Sequence, residues 1–208
     1  MKPSSPAGSP HTPDFVPSLP EIIRYFSGVV LLMAGRKEGL GRFNLTADGF
    51  WASFSAIIVA LPPMALSWIV YELVEKSGPA GGVFAYAAHA LADVVAWILP
   101  LLLGIMAAPS IGFGKKIGQM IITLNWAGAL ISWALVPLWL LMLLTGGSDR
   151  LSVLVLLISL ATLFLTARVI VFSTGVDYLV ATGITVLLVV ISLLTYAAVT
   201  DLTGVQLL

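Results

Sequence analysis

Apolar residues run along this chain in five long stretches that are nearly free of charge: about Phe50 to Tyr71, Val83 to Ala107, Ile117 to Leu144, Leu151 to Ala167, and Tyr178 to Thr200. Each is longer than a strand and lacks two-residue alternation, so the pattern predicts helices. A helix needs about 20 residues to cross the hydrocarbon core of a bilayer. The fourth stretch reaches that length only by continuing past Arg168 toward Phe172. The connections are short, so neighbours are expected to run antiparallel.

A different pattern precedes the first stretch. In "SLPEIIRYFSGVVLLMAG", Ser18 and Glu21 have capping-box spacing and Pro20 falls in the first turn, where a missing N–H is harmless. The apolar run from Ile22 to Ala34 is too short to span, and Arg36, Lys37 and Arg42 follow it directly. This predicts a cytoplasmic amphipathic or interfacial helix, lying in the membrane surface or packed on the ends of the bundle. Residues 1–17, rich in proline and small polar residues, read as a disordered tail. No signal-peptide cleavage pattern follows, so the N-terminus is expected to be retained. The expected organisation is a tail at 1–17, an interfacial helix and basic linker at 18–49, and a bundle at 50–208. The fold class is all-α: a polytopic membrane protein with five transmembrane helices.

Composition agrees with that pattern. A chain of 208 residues that is 59% hydrophobic and 10% charged has too little polar surface to cover a soluble domain. Ten basic residues balance ten acidic ones, which leaves no concentrated basic face for nucleic acid. With no cysteine, disulfides, thiolate metal sites and cysteine nucleophiles are excluded. Lys2, Arg24, Arg36, Lys37, Arg42, Lys115, Lys116 and Arg168 fall on one side of the expected bundle, against Lys76 and Arg150 on the other. By the positive-inside rule the N-terminus is cytoplasmic and the C-terminus lies on the outer side, as in a bacterial inner membrane.

The polar residues inside the spans need an explanation, because each is costly in lipid. His89 and Asp93 sit four apart in "YAAHALADVVAWILP", on one helical face, and are expected to hydrogen-bond each other. Asp93 lies roughly 15 Å from Val83 by the helical rise, near the midplane. Asn125 and Arg168 are its candidate neighbours and could form a polar track with it. The plainer reading makes Asp93 interhelical glue and lets Arg168 snorkel to the cytoplasmic interface. No metal is expected, since one His and one Asp supply only two ligands.

Other features carry less chemistry. Pro62, Pro63, Pro100 and Pro137 should bend their helices. Gly128 with Ser132, and Gly104 with Ala108, would let backbones approach closely. "APSIGFGKKIGQM" matches no nucleotide fingerprint. Together with Arg36, Lys37 and Arg42, its Lys115 and Lys116 are candidate contacts for anionic lipid. Glu72, Glu75 and Lys76 read as a solvated helix end, and Trp51, Trp68 and Trp139 as interface anchors. No serine or threonine shares the face of His89 as a nucleophile would require, so an enzyme is not expected.

The layout of Pro-rich tail, surface helix, five closely spaced spans and outward C-terminus resembles the Yip (Ypt-interacting protein) family. The stretch "DGFWASFSAIIVALPP" is also similar to small uncharacterised inner-membrane proteins of proteobacteria. That resemblance implies a non-enzymatic membrane adaptor, although the small GTPase partner of the eukaryotic family does not carry over to a bacterial chain. The expected function is therefore an integral membrane scaffold or accessory subunit without cofactor. Its expected partners are membrane lipids and either another membrane protein or a second copy. The alternative is a small-solute or proton-coupled permeation component using the polar track of His89, Asp93, Asn125 and Arg168.

Overall fold

The structure is a computed structural model that describes residues 16–75, 81–109, 112–147 and 150–207, without the side chains of Glu75, Lys115 and Arg150. Most of the expected tail, and with it Lys2 and His11, lies outside the described residues, as does Lys76. Every regular element among the described residues is helical. Helix α1 (Leu19–Met33) leads through a 3-10 turn (Lys37–Arg42) to α2 (Ala47–Ala52), and a second 3-10 turn (Ser53–Ser55) joins α2 to α3 (Ala56–Val70). A π-helical turn (Tyr71–Glu75) ends α3; then come α4 (Val83–Ala107), α5 (Gly114–Ala134), α6 (Val136–Thr145), α7 (Arg150–Thr174) and α8 (Tyr178–Thr203).

Among the described residues, five helical segments are long and apolar enough to cross a membrane: Ala47–Val74, Val83–Ala107, Lys116–Thr145, Leu151–Thr174 and Tyr178–Thr203. The chain is an integral membrane protein. The fourth segment does run past Arg168, to Thr174. Prolines act unequally. Pro62 and Pro63 lie inside α3 and Pro100 inside α4, with the helices continuing through them. Pro137 instead sits in the first turn of α6, where the third span breaks at Leu135 between α5 and α6. Its ring would clash with the carbonyl four residues back in an unbroken helix.

Neighbouring spans close a ring in the order α3, α5, α7, α8, α4, with α4 returning to α3. The tightest seam is α4 on α8. Ala88 and Ala92, both buried, form a small-residue stripe on α4 that continues to Ala96, and Ser192 of α8 donates to the Ala96 carbonyl at 3.2 Å. Without a hydrophobic drive between helices in lipid, such close approach supplies the packing energy.

Helix α1 packs on the bundle, against α5 and α7. Val29 and Leu32 are fully buried with Trp126 and Val169, and the Tyr25 ring lies 4.4 Å from that of Trp126. Trp126 is roughly 15 Å along α5 from Lys116, so α1 reaches well past the end of the ring. Leu19, Ile23 and Val30 form its exposed apolar side. Its start follows the sequence: the Glu21 carboxylate accepts from the Ser18 backbone N–H at 2.9 Å and from Ser18 Oγ at 2.7 Å. The Ser18 hydrogen bonds, side chain foremost, hold that carboxyl below the usual glutamate value, with a smaller contribution from Arg24. At the other end, Gly35 takes a left-handed φ of 85°, and Arg36 N–H reaches back to the Leu31 carbonyl at 2.8 Å. This satisfies the last carbonyls in the manner of a Schellman cap.

Candidate functional site in the ring interior

The expected His89–Asp93 pair does not form. His89 Nε2 lies 3.1 Å from Glu72 Oε1, and both residues are buried. Glu72 was expected to be solvated, yet it is 1% exposed, and its Oε2 accepts the Gly81 N–H at 2.6 Å. The turn after α3 folds this carboxylate back under the start of α4. A carboxylate buried this deeply requires such partners.

Asp93 takes different partners from different helices. The indole N–H of Trp68 on α3 donates to Oδ2 at 2.6 Å, and the Tyr196 hydroxyl on α8 donates to Oδ1. Trp68 is therefore a ligand of the carboxylate rather than an interface anchor. Trp51, 70% exposed, fits the anchor role. Among the described residues no Lys, Arg or His forms an ion pair with Asp93.

Asn125 is fully buried on α5 but does not touch Asp93. Its Oδ1 accepts the Trp97 indole N–H at 2.9 Å, and its Nδ2 donates to Ser53 Oγ at 2.9 Å. Gly128 makes room for that indole, since a Cβ there would stand 3.0 Å from Trp97 Cη2. Arg168 is also separate. Its guanidinium lies between the rings of Phe164 and Phe172, 5.6 and 5.5 Å from their centroids, and against Gly35. The four-residue track expected from sequence is thus four separate arrangements, one around each residue.

What remains together is a cavity of about 340 Å³ between α3, α4, α5, α6 and α8, lined by Ser67, Asp93, Trp97, Ser132, Trp139 and Tyr196 among others. A second cavity of about 180 Å³, reaching Asn125 and Thr166, shares Ala96, Trp97 and Ser192 with the first. The Trp97 ring stands at the junction. A carboxylate at the wall of such a cavity is suited to a cation through its charge and its remaining acceptor positions. Of the basic residues expected at lipid headgroups, Arg36, Lys37, Arg42 and Lys116 are exposed, and the Lys115 side chain is outside the described residues. Among the described residues no three His, Asp or Glu side chains converge.

Compared with known proteins, the chain matches no family model, no curated protein and no solved structure.

Proposed function

We propose that the bundle is a small-solute permeation component in which Asp93 binds a proton or a small cation inside the membrane. The observation that carries this reading is the Asp93 carboxylate at the wall of the larger cavity, held by two donors and, among the described residues, paired with no basic side chain. A purely structural acid would be sealed among its partners, whereas this one lines open volume roughly 15 Å from the start of its helix. The adjoining cavity extends the path toward Asn125, with the Trp97 indole as the barrier between the two. His89 and Glu72, one helical turn nearer the start of α4, form a second polar pair on the way in. The bias of Lys and Arg supports a cytoplasmic N-terminus and, for a bacterial chain, an inner-membrane location.

The test uses the purified protein in vesicles carrying a pH-sensitive dye, with an imposed potassium diffusion potential. Asp93→Asn should abolish proton or ammonium flux while the amount of folded protein stays constant. Loss of folded protein would make Asp93 interhelical glue. Unchanged flux would overturn the proposal and favour the scaffold that the Yip-like layout suggests, for which a stoichiometric partner should then co-purify in mild detergent.

A further inference from the structure

Arg168 poses a separate problem. It sits roughly 9 Å from the end of α7 by the helical rise, and among the described residues it has no carboxylate partner. Among the described residues its Nε is buried without a hydrogen-bond acceptor. Two phenylalanine rings clamp the guanidinium, and Gly35 leaves space for one of its terminal nitrogens, where a Cβ would come within 2.6 Å. The C-terminal end of α1 lies beside it and offers only a partial negative charge, its last turn being already capped. A guanidinium so oriented, with donors to spare, is a ready partner for phosphate.

Phe164 connects this group to a second feature. It also lines a groove of about 400 Å³ between α7 and α8, bounded by Leu163, Ala167, Tyr178, Val186 and Val190. Along α8 the groove extends from Tyr178 to Val190, roughly 18 Å, close to the depth of one leaflet's hydrocarbon layer. Its Tyr178 end lies where α7 finishes, and Arg168, about 9 Å in from that finish, stands level with the middle of the groove. The nearest acid on α8, Asp177, is engaged in capping the Val180 N–H at 2.9 Å.

We infer that this chain holds one anionic phospholipid at a defined site, with the phosphate on Arg168 and one acyl chain in the α7–α8 groove. The site is independent of the Asp93 cavity. It also differs from diffuse attraction to Arg36, Lys37 and Arg42, because it requires both a particular guanidinium and a particular groove.

Native mass spectrometry of the full chain in detergent, titrated with phosphatidylglycerol or phosphatidylcholine, tests it. Wild type should retain one phosphatidylglycerol in preference to phosphatidylcholine. Arg168→Gln should weaken that retention roughly tenfold, the loss expected for a charge-assisted contact. Val186→Trp should weaken it equally by filling the groove without changing charge. Arg168→Lys, which keeps the charge, should retain more than Arg168→Gln and guards against a folding defect at that position. Equal retention of both lipids by wild type, or full retention in Arg168→Gln, would overturn the site. Full retention in Val186→Trp would reduce it to a headgroup contact and overturn the acyl-chain assignment.

Discussion

The indole N–H of Trp133 on α5 donates to the Val59 carbonyl on α3 at 2.8 Å. In an unbroken helix that carbonyl would accept from the residue four positions on, which is Pro63 and has no N–H to give. The neighbouring helix thus supplies the donor that the proline removes. Trp133→Phe should lower stability by about 1–2 kcal/mol. In a Pro63→Ala background, where the backbone can fill the carbonyl, the same change should cost clearly less. Thermal unfolding of the four proteins in one detergent checks this, and additive effects would reject the compensation.

Trp68→Phe removes one of the two donors to Asp93 while keeping most of the aromatic surface. A weakened hydrogen bond to a charged or partly buried carboxylate costs about 1.5–3 kcal/mol. Stability in detergent should fall by that order, and Tyr196→Phe should behave alike. Combined, the two should not add simply, because both donate to one carboxylate, Trp68 at Oδ2 and Tyr196 at Oδ1.

Gly128→Ala places a methyl group 3.0 Å from Trp97 Cη2 and 3.1 Å from Cζ2. The indole must move by a few tenths of an ångström, which loosens its bond to Asn125 and shifts the barrier between the cavities. The expected cost is about 1–3 kcal/mol. The indole N–H resonance of Trp97 should move upfield as its hydrogen bond lengthens.

What is legible in the sequence follows from the range of each interaction. Span lengths and the start of α1 depend on local pattern and local capping, and both were legible. His89 and Asp93 stand out in the sequence as polar residues inside an apolar run. Their partners do not, because four-residue spacing shows only that two side chains share a face. What that face meets is set by α3 and α8, which lie far away in sequence. Trp68 and Tyr196 carry no mark separating an aromatic residue at a lipid interface from one that serves a carboxylate. A usable signal was present in Ala88, Ala92 and Ala96: the stripe fixes which side of α4 meets α8, and His89, Asp93 and Trp97 each follow it by one position. Glu72 was misread because it ends an apolar run, where a solvated acid is the ordinary case.

Glu72→Leu should strand both the His89 ring and the Gly81 N–H and destabilise the protein by about 1–3 kcal/mol. Glu72→Gln keeps an acceptor for one of them and should recover part of that loss. Chemical denaturation in mixed micelles distinguishes the two variants.

Acid should loosen the first turn of α1 before the bundle. Glu21 has its carboxyl held below the usual value by Ser18. The cap is therefore fully formed above the ordinary glutamate range, about pH 4, and is lost as pH falls through the lower folded value. Amide exchange at Glu21 and Ile22 should rise in that window, and Glu21→Gln should remove the dependence.

The π-helical turn at Tyr71–Glu75 has a further meaning for this end of the molecule. Such a turn holds an extra residue, so it works as a one-position insertion that re-phases everything after Val70. Removing a single residue there would restore the α-helical repeat, leave the membrane-crossing lengths nearly unchanged and swing the Glu72 carboxylate by about 100°. Register, more than composition, decides whether an acid at this position faces an imidazole or the water beyond the membrane.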